Sequence, residues 1–306
     1  MRSLYIFLLL LTSLLWGANF VVGKSLVNHA SPLTLTTLRW LIAVIFLLPF
    51  VWWREKRFFP PKDSILPLVL MGITGVVLFN LFQFKALELT SSANVGLIST
   101  LNTISIAAFS FLILKERLNL IQILCVVISL SGVMVVLSKG DVGSLMMLEL
   151  NSGDLYMVMA VCIWGIYSVC SKWALTKTSA IMATLYSGIF GLLILIPFNL
   201  HTFSVNNLDA SFVQSILYTG VISTLLCTVF WNIGVSKLGA SFAGIFLNFN
   251  PVFTAILAFL LLGEKMTVIQ IAGSTIVVAG CLLFSQAKTN IFKRSEDQQM
   301  HRSHAG

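Results

Sequence analysis

Long apolar stretches alternate with short polar breaks along this chain. Ten stretches are nearly free of charge, and each is close to the roughly 20 residues that cross a hydrocarbon layer as a helix. The first five run from Leu4 to Val22, Leu33 to Trp53, Ser64 to Phe84, Ser92 to Leu114 and Leu120 to Leu137. The second five run from Leu155 to Trp173, Ala180 to Phe198, Phe212 to Val235, Ser241 to Leu262 and Val268 to Gln286. The pattern predicts an all-α membrane protein of ten transmembrane helices. Arg2 ahead of Leu4 to Leu15 imitates a signal peptide, but the apolar run continues to Val22 without a small-residue cleavage site, so a retained first helix is expected.

The second half repeats the first. A shift of 148 residues pairs Trp16-Gly17 with Trp164-Gly165, Lys24 with Lys172, Pro49-Phe50 with Pro197-Phe198 and Asn102 with Asn250. The same shift pairs Glu116 with Glu264, Ile121-Gln122-Ile123 with Ile269-Gln270-Ile271 and Gly132 with Gly280. One constant shift linking rare residue types reads as tandem duplication. Five spans per copy is an odd number, so the second copy enters the membrane from the opposite side, giving two inverted five-helix repeats. The expected organisation is a first repeat over residues 4–138, a linker over 139–152, a second repeat over 153–286 and a polar tail over 287–306. The tail has too little apolar surface to bury and is expected to be disordered.

Composition agrees with the pattern. Residues are 58% hydrophobic and 10% charged, against roughly 25% charged in soluble domains, which excludes a soluble fold. The net charge of +8 lies mostly in the breaks between spans, so it reports topology and not nucleic-acid binding. With a cytoplasmic amino terminus, 14 of the 19 Lys and Arg fall on the inner side. Lys24, Lys85, Lys139 and Lys265 fall outside, and Arg39 stays within a span. Both termini are therefore expected in the cytoplasm, in a cell membrane. The five cysteines lie inside apolar runs with no CxxC pair and read as small buried hydrophobes.

Catalytic parts are missing. The chain has no HExxH and no GxxxxGK[ST] loop, and His29, His201, His301 and His304 lie in breaks or the tail. Metal hydrolysis, acid/base chemistry inside the bilayer and ATP-driven pumping by this chain alone are excluded, and neither cofactor nor metal is expected. The Trp-Gly of each half, Lys-Glu-Arg-Leu at 115–118, Gly-Glu-Lys-Met at 263–266 and the late glycines resemble EamA domains of the drug/metabolite transporter superfamily. The resemblance implies a ten-helix transporter of metabolites, often an exporter. One departure is Thr103 at the counterpart of Pro251, where the family often has proline in both halves.

An inverted repeat usually binds substrate at its interface near mid-membrane. Trp16 and Asn19 share a face on the first span, Trp164 and Tyr167 repeat it on the sixth, and Asn102 and Asn250 sit deep in spans four and nine. These six and Arg39 are the candidate substrate-binding residues, with packing between helices as the alternative. Arg39 either holds a substrate carboxylate or phosphate or snorkels to the outer surface. Pro251 has no amide donor and is the candidate hinge. Deep amides such as Asn80, Gln83, Asn94, Asn232 and Asn248 read substrate or bond to neighbouring helices. The expected function is secondary transport, without ATP, exporting a small metabolite such as an amino acid by alternating access. The rival is a channel or a structural membrane protein. Expected partners are a small-molecule substrate and the bilayer, with the chain as monomer or homodimer.

Overall fold

The computed structural model describes residues 2–55, 58–116, 118–138, 151–262, 268–269, 271–284 and 286. The linker from 139 to 150, the tail from 287, Arg117 and Gly263 to Thr267 with Glu264 lie outside the described residues. All regular structure among the described residues is helical. Helices α1 (Arg2–Leu26), α2 (Pro32–Arg54), α3 (Lys62–Leu89) and α4 (92–114) are followed by α5 (Leu120–Ser138). Then come α6 (Ser152–Ala174), α7 (Ala180–Asn199), α8 (Ala210–Leu238), α9 (240–262) and α10 (Ile271–Phe284).

Seven helices among the described residues, α1 to α4 and α6 to α8, are long and apolar enough to cross a membrane. Their starts follow from local side-chain chemistry. Ser31, Ser91, Ser179 and Asp209 accept from the amide three residues on, and Asn151 with Asp154 forms a capping box. Each cap satisfies an amide that the first helical turn leaves unpaired.

Four helices are irregular. In α3 residues Gly72–Leu78, and in α8 residues Tyr218–Leu226, form π-helical turns, which end at positions 148 apart. In α9 a 3-10 turn at Ile245–Asn248 precedes Pro251, which sits in the first turn of Phe249–Leu262, where its missing amide costs nothing. Helix α4 breaks between Ser99 and Asn102 without a proline. There Ser99 and Thr100 donate their hydroxyls to the carbonyls of Gly96 and Leu97, each at 2.7 Å. The amides of Thr100 and Leu101 meanwhile tighten to carbonyls three residues back. Hydroxyls that bond locally compete with the α ladder, and here they accompany the break in a helix whose counterpart carries a proline.

Helix α3 packs on α6 and α1 on α8; α4 packs on α6 and α1 on α9; α2 packs on α7. Adding 148 to one member of each pair and subtracting it from the other returns a pair of the same set. Helices α5 and α10 cross at Gly132 and Gly280. A Cβ on Gly132 would lie 2.7 Å from the amide nitrogen of Val277, and one on Gly280 would lie 2.8 Å from that of Ser129. Lys24 donates to the carbonyls of Leu87 and Thr90, and Lys172 to those of Val235 and Ser236, so each caps the end of a neighbouring helix. The core has two clusters. One holds Leu9, Trp40, Trp164, Trp231 and Phe246; the other holds Phe20, Leu35, Phe84 and Met157.

Candidate functional site

A cavity of about 580 Å³ of atom-free space, mouth included, lies between these clusters and draws its lining from both. Helix α1 supplies Trp16, Asn19 and Phe20; α2 supplies Arg39 and Trp40; α3 supplies Gly75, Phe79, Asn80 and Gln83. Asn102 comes from α4, Trp164 and Tyr167 from α6, Ser223, Thr224 and Thr228 from α8, and Leu247 and Asn250 from α9. All seven residues singled out from the sequence as substrate candidates thus line one space. Pro251 is buried one residue beyond Asn250 and outside the lining.

Aromatic rings make one wall. Trp16 meets Trp164 edge to face with centroids 5.3 Å apart, and Trp164 stacks on Tyr167 at 4.7 Å and tilts against Phe79 at 4.6 Å. Trp231 backs both tryptophans, at 5.8 Å from Trp16 and 5.7 Å from Trp164. The ring of Tyr167 lies against Gly75, where a Cβ would come within 2.2 Å of it. Only glycine lets α6 approach α3 so closely at this point.

The π turns shape the polar side. A π turn shifts the backbone bond to the fifth residue back and leaves a carbonyl open to side chains. Ser223 O accepts from Trp16 Nε1 at 2.9 Å, and its counterpart Gly75 O accepts from Asn80 Nδ2 at 2.7 Å. Thr224 donates its hydroxyl to Thr219 O at 2.6 Å. Arg39 then donates Nε to Thr224 Oγ1 at 2.7 Å and Nη2 to Ser223 Oγ at 3.2 Å. Its Cζ stands 5.6 Å from the ring centre of Phe84. Arg39 is only 4% exposed, so it is held inside the bundle and does not snorkel outward.

The deep amides separate into two groups. Asn232 accepts from Tyr167 and Ser171 and donates to Thr184; Asn248 accepts from Thr103 and donates to Ser129. Asn94 donates to Thr90 and Asp154. These three join helix to helix. In contrast, Asn19 Oδ1, Asn102 Oδ1 and Asn250 Oδ1 are buried with no hydrogen-bond partner among the described residues. The same holds for Arg39 Nη1, Trp40 Nε1 and Trp164 Nε1. All six belong to residues that line the cavity, against four such atoms outside it, on Thr36, Ser105, Ser110 and Trp231. Buried polar groups are nearly always paired, so these six atoms make the cavity the candidate binding site.

Sequence reading did not single out Ser223, Thr224, Trp40 or Phe79. Hydroxyls and phenylalanines are common in apolar spans. The one usable signal was Arg39 itself, which needs acceptors, and the hydroxyl-rich Ser223-Thr224 in the middle of an apolar stretch offers them.

The EamA-like transporter family matches this chain twice, over residues 3–138 and 151–286. An uncharacterized transporter of Bacillus subtilis (strain 168), YyaM, is 28% identical over 93% of this chain and 95% of its own length. An S-adenosylmethionine/S-adenosylhomocysteine transporter of Chlamydia muridarum (strain MoPn / Nigg) is 27% identical over 91% of this chain and 90% of its own. One solved crystal structure shares the fold at a TM-score of 0.76 and 19% identity, covering 95% of this chain and 99% of its own. With apolar helices long enough to cross a membrane and a match that spans most of its length in two copies, the chain belongs to the EamA-like transporter family.

Proposed function

We propose that this chain is a secondary, ATP-independent carrier that exports a small metabolite, such as an amino acid or related compound, across the cell membrane by alternating access. In this reading α1 to α10 are ten spans in two inverted repeats, residues 4–138 and 153–286, joined by the linker 139–152. Both termini, with the tail 287–306, face the cytoplasm. Substrate binds among Trp16, Asn19, Arg39, Asn102, Trp164, Tyr167 and Asn250, and the turn ahead of Pro251 bends as the halves rock.

The observation that carries the reading is a single cavity whose unpartnered buried polar atoms come from both halves, Asn19, Arg39 and Asn102 from one and Trp164 and Asn250 from the other. Sites at the interface of inverted repeats use this arrangement, because rocking one half against the other exposes a shared site to each side in turn. The paired π turns, the paired lysine caps and the Gly132–Gly280 crossing support the repeat.

The test is exchange in proteoliposomes. S-adenosylmethionine and S-adenosylhomocysteine are the first compounds to try, because relatives carry their names, followed by amino acids found in excess in the medium of overexpressing cells. Saturable exchange of labelled compound supports the carrier. Conductance that does not saturate supports a channel in its place.

A further inference from the structure

The geometry points to Arg39 as the anchor of a single carboxylate on the transported molecule, with Ser223 and Thr224 as the residues that position it. This deepens the carrier reading above by naming the group its substrate must present.

Among the described residues, Arg39 is the only charged one in the cavity lining. A guanidinium buried inside the bundle is costly without a counter-charge, and neutral hydroxyls solvate it without cancelling its charge. The hydroxyls have a different effect. The proton of Thr224 is committed to Thr219 O, so its lone pair faces Arg39 Nε, while Ser223 Oγ takes Nη2. Two of the three guanidinium nitrogens are thereby fixed, and the third, Nη1, is left buried without a partner among the described residues, in a side chain that is only 4% exposed. The fork is oriented before any ligand arrives.

Charge counting selects the ligand group. One carboxylate makes the occupied site neutral. A phosphate dianion would leave a negative charge where the lining offers no second cation, and a neutral amide would leave the guanidinium uncompensated. The aromatic wall of Trp16, Phe79 and Trp164 accommodates the apolar body of the molecule, and the open amide oxygens of Asn102 and Asn250 take N–H or O–H groups from it.

The experiment measures thermal stabilisation of the purified full chain in detergent by three matched pairs: acetate and acetamide, benzoate and benzamide, indole-3-acetate and indole-3-acetamide. Phenyl phosphate at pH 8 is the dianion control. At least one carboxylate is expected to raise the melting temperature while its amide does not. Arg39→Gln should abolish that preference, and Arg39→Lys should keep it with weaker binding. Thr224→Val and Ser223→Ala should each weaken carboxylate binding about tenfold, the worth of a hydrogen bond to a charged group, and Thr224→Ser should restore it. Equal effects of acid and amide, no stabilisation by any of the three acids, a preference that survives in Arg39→Gln, or tighter binding of phenyl phosphate than of benzoate would each overturn the assignment. The carrier reading fails separately: a carrier of neutral compounds would still exchange substrate in proteoliposomes and lose activity in Asn250→Ala, while showing no preference for acids.

Discussion

Trp16 and Trp164 stand 148 positions apart in the chain and touch edge to face, ring planes at 86° and centroids 5.3 Å apart. Each occupies the same place in its own half, so the contact lies on the axis that would relate the two halves. In the proposed alternating-access carrier, rocking one half against the other would slide or part these rings. Replacing either by alanine should therefore lower exchange per molecule by tenfold or more, roughly, since a buried aromatic pair contributes about 1 kcal/mol beyond its area and the wall of the cavity goes with it. Trp164→Phe keeps one aromatic ring and loses the second ring with the open Nε1–H, and it should retain more activity than the alanine variant. Exchange normalised to membrane abundance checks this, and unchanged turnover in both alanine variants would move the site elsewhere.

Asn232 and Asn250 are both buried amides of the second half, yet they should behave in opposite ways. Asn232 joins Tyr167, Ser171 and Thr184, and Asn232→Ala strands the hydroxyls of Tyr167 and Ser171, while Thr184 keeps its bond to Ala180 O. It should cost about 1–3 kcal/mol of stability, read as a lower melting temperature in detergent. Asn250 Oδ1 has no partner among the described residues to strand, so Asn250→Ala should leave the melting temperature nearly unchanged and weaken apparent substrate affinity. A reversed outcome would exchange the two roles.

How far this division was legible in the sequence depends on the residue. Trp16, Asn19, Arg39, Asn102, Trp164, Tyr167 and Asn250 stood out because polar and large aromatic types are rare in apolar runs and several recur at one shift. Whether an amide is satisfied, as in Asn232, or open, as in Asn250, depends on what the neighbouring helices bring to it, which no spacing encodes. The π turns of α3 and α8 were equally hidden, because their composition is that of any apolar helix. The break in α4 was obscured by Thr103 at the place of a proline, while Ser99 and Thr100 bond to carbonyls of their own helix at the break.

Helices α5 and α10 give a prediction about packing. Gly132 and Gly280 bring backbone against backbone, with no flexible side chain to yield. Gly132→Leu or Gly280→Leu should force the helices apart and cost about 1–3 kcal/mol. Melting curves of both variants are the measurement, and a side chain accommodated without loss at either position would contradict the crossing.

Orientation is tested by reporter fusions. The distribution of Lys and Arg predicts cytoplasmic signals for fusions at Ser3, Lys62, Lys177 and Lys288, and an outside signal at Ser144. Trp52 and Trp53, 79% and 82% exposed beside Arg54 at the end of α2, suit an inner interface. A cytoplasmic signal at Ser144 would break both the orientation and the odd number of spans per repeat.

Energy coupling is the last prediction, and it follows from which titratable groups reach the cavity. Proton-driven carriers commonly load and release the proton on a buried acid or histidine. Among the described residues, no Asp, Glu or His lines this cavity. Asp154 is buried, but it belongs to the capping box of α6 and bonds Thr90 and Asn94. Glu88 pairs with Lys85 at 2.7 Å near the end of α3. Neither carboxylate is free to shuttle a proton across the bundle without breaking a structural contact. Substrate is therefore expected to move down its own gradient or by exchange, with cytoplasmic accumulation supplying the drive for export. Proteoliposomes given a pH gradient, no substrate gradient and a membrane potential clamped at zero should show no net concentrative uptake. Uptake under that clamp would defeat the prediction and make Glu88→Gln the first variant to measure, because breaking its pair with Lys85 would then abolish the coupling.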